Sequence, residues 1–92
     1  MSNMQRLLVS GRIQQVGYRD YMVRRAGALG ITGWVRNLRD GRVEILACGS
    51  EEAIAAFVEA GRDGPPLARV DAIDVSPASD APVKGFTKRF TV

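Results

Sequence analysis

The sequence predicts an α+β sandwich in the order β-α-β-β-α-β, an antiparallel sheet with two helices on one face and room for a short fifth strand. Three observations carry that expectation. Two segments place apolar residues at helical spacing ahead of a glycine. Four short apolar or alternating segments read as strands, and an Asp-Gly pair stands between the second and third of them, where a tight turn belongs. At 92 residues the chain reads as a single domain, 1–92, around one core with no linker.

The elements follow in order. Met4 to Ser10 is a short apolar run that stops at Gly11 and reads as a buried strand. Gly11 to Gly17 is a segment with a glycine at each end. Tyr18, Met22, Ala26 and Leu29 then fall on one helical face, and Gly30 follows where a helix C-terminus favours a left-handed residue. Ile31 to Asn37 is the second strand and Arg42 to Cys48 the third, joined as a hairpin through Asp40-Gly41. Ser50 is placed to cap a second helix, with Glu51 and Glu52 in the first turn, where the dipole favours negative charge. Ile54, Phe57 and Val58 make its apolar face and Gly61 its end. Gly64-Pro65-Pro66 is a loop, and Val70 to Val75 is a fourth strand whose faces separate imperfectly. Pro77 to Lys84 is an irregular loop, and Phe86 to Val92 carries the short last strand. Two right-handed βαβ crossovers then give a ferredoxin-like arrangement. That arrangement hosts enzymes, RNA binders, metal carriers and sensors, so it names no function by itself.

Composition narrows the chemistry. There is no histidine, which excludes Ser-His-Asp, Cys-His and histidine-ligated zinc chemistry. A lone cysteine, Cys48, excludes an internal disulfide framework and a cysteine-rich metal site. With no histidine or second cysteine to activate it, Cys48 reads as a half-buried strand residue. No run approaches the roughly 18 apolar residues of a membrane span, and Leu7-Leu8-Val9 is too short for a signal-peptide core. The expected location is the cytoplasm. Thirteen basic against ten acidic residues give +3, an excess that suits an anionic partner but is also common in proteins that bind nothing acidic.

Two places can hold chemistry. A glycine-bounded loop leading into a helix N-terminus offers an anion unpaired backbone N–H groups and the positive end of the dipole. Arg19 stands in the first turn of that helix, where a cation is misplaced by a few tenths of a kcal/mol, up to about 1. A bound anion reverses that penalty, and the planar guanidinium can take two phosphate oxygens at once. From the residues alone, a plain turn beside a solvated arginine remains the alternative. Asn37, at the end of the second strand, either closes the strand through a bond to its own backbone or presents an amide able to orient a water. Tyr18, Trp34, Phe57 and Phe86 read as core or sheet packing, and Arg36, Arg39 and Arg42 as solvated hairpin charge. Asp71 and Asp74 have no spacing that suggests a metal.

Taken together, these segments resemble the acylphosphatase family. Gly11-Arg12-Ile13-Gln14-Gln15-Val16-Gly17-Tyr18-Arg19 follows the family's first signature, roughly G-R-V-Q-G-V-x-F-R. Gly30-Ile31-Thr32-Gly33-Trp34-Val35-Arg36-Asn37, followed by the Asp40-Gly41 turn, follows its second, G-x-x-G-W-V-x-N. The similarity spans essentially the whole chain, including Ala68 to Asp71, with Gly85 to Val92 only loosely like the closing strand. The resemblance implies hydrolysis of acyl phosphates to a carboxylate and inorganic phosphate, with no metal and no cofactor. It makes Arg19 the phosphate-binding arginine, the backbone amides of Gln15, Val16, Gly17 and Tyr18 the rest of the cradle, and Asn37 the holder of the attacking water. The missing histidine agrees. The leaving group of a mixed anhydride is a weakly basic carboxylate, and phosphoryl transfer is mainly positioning and charge stabilisation. One residue departs: Gln15 stands where the pattern has glycine, and a left-handed backbone there costs about 1–2 kcal/mol.

The expected partner is accordingly a small acyl phosphate as substrate, with no nucleic acid and no membrane, and the expected state is a monomer. Two other readings share the topology. An RNA-binding module stacks bases on aromatic residues of its central strands, but Arg42 to Cys48 holds no aromatic and Glu44 brings the wrong charge. A catalytically inactive relative keeps the anion site, with Gln15 as the disabling change.

Overall fold

The computed structural model describes residues 3–92; Met1 and Ser2 lie outside the described residues. β1 (Asn3–Arg12), α1 (Tyr18–Leu29), β2 (Thr32–Asn37), β3 (Val43–Gly49), α2 (Glu51–Asp63), β4 (Arg69–Pro77) and β5 (Phe86–Lys88) follow the expected order. The sheet runs β4-β1-β3-β2-β5. β1 pairs antiparallel with β3 and β4, and β2 antiparallel with β3. β5 lies parallel beside β2 and keeps only three residues of the expected last strand, so the sheet is mixed rather than wholly antiparallel.

Strand alternation sends Leu7, Val9, Val35, Val43, Ile45 and Ala47 to one side, where they are buried with Met22 and Ala26 of α1 and Ile54, Phe57 and Val58 of α2. Each helix begins or ends as its local residues dictate. The N–H of Gly30 bonds Ala26 O, and Ser50 Oγ accepts from Ala53 N at 3.1 Å. Two glycines do something other than stop an element. β1 bulges between Ser10 and Gly11 and continues to Arg12. α2 passes through Gly61 and closes at Gly64, whose N–H reaches Ala60 O at 3.0 Å. Gly61 serves packing, because a Cβ there would lie 3.0 Å from Tyr18 Oη and 3.1 Å from Met22 Cε. The close approach lets Tyr18 Oη donate to Gly61 O at 2.9 Å and Tyr21 Oη to Ala60 O at 3.0 Å. Gly61 O lies in the last turn of α2, where carbonyls lack intrahelical donors, and Ala60 O is shared between Tyr21 and the Gly64 N–H.

The opposite face of the sheet carries charge. Glu44 is 4% exposed there, and its carboxylate accepts from Arg6 Nε at 2.6 Å and from Arg36 Nε at 2.7 Å. Burial of a carboxylate is costly, and paired, hydrogen-bonded cations of this kind offset the cost. Arg36 is therefore an ion-pair partner within the sheet rather than solvated hairpin charge, while Arg42 does stay on the hairpin with Asp40 at 2.9 Å. Trp34 shares this face and is buried, with the guanidinium carbons of Arg36 and Arg89 at 4.7 and 4.8 Å from its ring centroid. Covered in this way, the ring offers no platform to a nucleic-acid base. Next to it Gly33, at φ 142°, lets β2 approach β3 so closely that a Cβ would stand 1.8 Å from Leu46 O.

Candidate active site

Because β1 and β2 are both antiparallel to β3, they point the same way. The segment after Arg12 and the end of β2 at Asn37 therefore emerge at one edge of the sheet, where α1 begins. Ile13, 1% exposed, anchors residues 13–17 in the core. Gln14 fastens them sideways: its Nε2 donates to Leu38 O at 2.8 Å and to Arg42 O at 3.0 Å, both in the hairpin that follows Asn37. Gln15 has φ 63°, the only positive φ of a non-glycine residue among the described residues. The left-handed backbone that its glycine-type position requires is thus present, with a side chain on it. Gly17 is the N-cap of α1 at φ 81°, ψ 15°, with no side-chain capping bond. No side chain caps Gly17, so the first turn of α1 keeps backbone donors that an anion can take.

Ile13, Gln15, Gly17, Tyr18, Arg19, Asp20 and Lys88 line a cavity of about 110 Å³ at this edge. Arg19 enters no ion pair among the described residues. Lys88 Nζ meets Asp20 Oδ1 at 2.7 Å. That hydrogen bond, and then the lysine's charge, holds the Asp20 carboxyl below the usual carboxylate range. Tyr18 contributes its ring to the wall, but its hydroxyl is committed to Gly61 O. Burial pushes its pKa far up, with the neighbouring Tyr21 adding to the effect, so the phenol stays protonated. Asn37 is 9% exposed and, by register with Val43, lies on the helix side of the sheet with Val35. Its Oδ1 has no hydrogen-bond partner among the described residues, an unusual state for a buried polar atom. Asn37 does not itself line the cavity. The two bonds from Gln14 tie the loop to the hairpin beside it. Among the described residues, no three acidic, thiol or imidazole groups gather into a metal cage.

This loop and strand end coincide with a known pattern, since the family model for acylphosphatase matches residues 5–91. The chain belongs to the acylphosphatase family. It is 55% identical over 69 residues to an acylphosphatase of Methylococcus capsulatus, covering 75% of each chain. Among solved structures, an acylphosphatase from Coxiella burnetii resembles it with a TM-score of 0.91 at 33% identity, over 96% of this chain and 93% of that one. One from Bacillus subtilis does so with a TM-score of 0.82 at 40% identity, over 100% and 98%.

Of the residues singled out in the sequence of this acylphosphatase-family chain, Gln15, Gly17, Tyr18 and Arg19 meet around one cavity. Val16 is partly buried against the core and can offer only its backbone. Sequence reasoning passed over Gln14, Asp20 and Lys88. Lys88 reaches the site through β5. Phe86 and Lys88 are two apart on a strand and so share a face. Phe86 packs edge-on against Phe57 with centroids 5.6 Å apart, which puts Lys88 on the helix side as well.

Proposed function

We infer that the chain hydrolyses acyl phosphates to a carboxylate and inorganic phosphate, with water attacking phosphorus and no metal in the step. The observation that supports this reading is a conjunction in one cavity: an arginine that enters no ion pair among the described residues and a helix N-terminus with no side-chain cap. The N–H groups of Gln15 to Tyr18 bind phosphoryl oxygens, and the α1 dipole favours the dianion. Arg19 grips two oxygens and stabilises the charge that builds up on them in the transition state. Asn37, at the neighbouring strand end, orients the water through its side-chain amide. The water oxygen forms its bond to phosphorus as the bond from phosphorus to the acyl oxygen breaks. The electron pair leaves on the carboxylate, and the water's proton passes to a phosphoryl oxygen of the substrate. A leaving group this weakly basic needs no side-chain acid, and the transfer itself is positioning and electrostatics.

Hydrolysis of benzoyl phosphate in EDTA tests this. Wild type is expected to turn over unaffected by the chelator, with a loss of about 10²–10³-fold or more in folded Arg19→Gln. Arg19→Lys is expected to be similarly impaired, because a point charge does not replace the planar fork. Near-normal turnover by folded Arg19→Lys would overturn bidentate binding, and turnover abolished by EDTA would overturn the metal-free step.

The same reading takes residues 1–92 as one domain, a cytoplasmic monomer that binds neither nucleic acid nor membrane. Its supports are a family match spanning 5–91, a single buried cluster, and a lone free cysteine. In addition, no helix among the described residues is long and apolar enough to cross a membrane. Size-exclusion chromatography checks the monomer.

A further inference from the structure

One cation in the cavity is used by neither the sequence signatures nor the step above. Lys88 is the last residue of β5, in register with Val35 of β2. Its backbone is fixed from both sides, by Phe86 against Phe57 and by Arg89 N donating to Val35 O at 2.8 Å. Strand parity therefore sets its side chain toward the start of α1, where the ammonium lines the cavity with Arg19 and meets Asp20 at 2.7 Å. Asp20 is an acid in the first turn, placed well for the helix dipole but badly for an anion in the same cavity. The lining side chains carry one net positive charge with Lys88 present and none without it.

We propose that Lys88 is a specificity-determining residue, a second cationic contact that makes the cavity select a doubly ionised phosphoryl group, with Asp20 as the counter-ion that holds the ammonium in place before substrate arrives. The proposal rests on the reading of this cavity as the phosphoryl site. When the dianion enters, the ammonium turns part of its hydrogen bonding from Asp20 to a phosphoryl oxygen, a charge-assisted contact.

A purely structural ion pair and a ligand-binding lysine predict different patterns. If the pair only stabilised the fold, Lys88→Met and Asp20→Asn would break the same bond and move every property in the same direction. Under the proposal they move anion affinity in opposite directions. The dissociation constant of inorganic phosphate by calorimetry, and KM and kcat for benzoyl phosphate, are to be measured at low and raised salt for wild type, both single variants, the double variant and Lys88→Arg. Lys88→Met is expected to weaken phosphate binding and raise KM by about tenfold, as the loss of one charge-assisted bond would. Asp20→Asn is expected to tighten phosphate by about threefold, and the double variant to fall between the singles. Lys88→Arg should retain most of the affinity, and the differences should shrink in salt.

Shifts of the same sign in the two single variants, or none, overturn the proposal; so does a loss confined to kcat. Arg19→Gln separates the two levels of inference. If wild type binds phosphate with the Lys88 pattern but does not hydrolyse benzoyl phosphate, the reaction is wrong and the role of Lys88 stands. If Arg19→Gln leaves phosphate affinity unchanged, or wild type binds none, the reading of the cavity falls and takes the proposal with it.

Discussion

Replacing Gln15 with glycine should make this protein more stable. At φ 63° the residue sits in the left-handed region, which costs a side-chain-bearing residue about 1–2 kcal/mol. Its side chain is exposed, so truncation opens no cavity in the core. Glycine enlarges the unfolded ensemble, which offsets about 0.4–1 kcal/mol of the relief. The difference leaves about 0.5–1 kcal/mol in favour of the variant. In a chain of this size 1 kcal/mol moves the midpoint by about 4–8 °C, so Tm should rise by about 2–8 °C. Thermal melting followed by circular dichroism reads this directly, and urea unfolding should show a higher midpoint at unchanged slope. Gln15→Val is the opposing arm, since a β-branched residue is a worse fit to positive φ, and its Tm should fall. A Gln15→Gly protein that melts below wild type, or a Gln15→Val protein that melts with it, would refute the idea that strain is stored at this residue.

Two further substitutions test the sheet. Gly33→Ala places a Cβ 1.8 Å from Leu46 O on a backbone at φ 142°. β2 must then move off β3, at a cost of about 3 kcal/mol or more, and a variant that retains wild-type Tm would contradict the close approach. Glu44→Gln leaves the Arg6 and Arg36 guanidinium groups facing a neutral amide. Breaking a fully buried pair costs about 3–5 kcal/mol, but these arginine side chains are 51% and 27% exposed and solvent recovers part of that, so about 1–3 kcal/mol is expected from urea unfolding.

Much of this molecule is legible because its signals are local. Asp40-Gly41 announces the β2–β3 turn, the spacing of Tyr18, Met22 and Ala26 announces α1, and Ser50 announces α2 through a bond it makes three residues on. The cradle candidates could be read for the same reason, since Gln15 to Arg19 are contiguous. What resisted reading depends on partners distant in sequence. Gly61 and Gly11 look like stops, yet one makes room for Tyr18 from another helix and the other lies beside a bulge against β4. The parallel pairing of β5 has no local mark, because a three-residue strand is oriented by its neighbour rather than by its own pattern. Lys88 and Gln14 escaped on the same grounds, as their roles exist only once β5 lies beside β2 and the loop lies beside the hairpin. Arg36 reads as solvated charge from the sequence because nothing local shows that Glu44, across the hairpin, is a carboxylate buried on the face without helices.

The position of β1 has a consequence for how the protein is made. Val9 pairs with both Val43 and Ile73, so β1 is flanked by two strands that are synthesised after it, β3 and β4. Closing such distant pairings before they reward the chain slows folding. A nascent polypeptide on the ribosome would carry residues 13–19 long before it has a sheet edge to set them on. Lys88 would join them only after β5 has formed. Catalytic competence would therefore arrive all at once, only after the strands on both sides of β1 have been made, and a chain grown no further than α1 would be inert toward the metabolites around it.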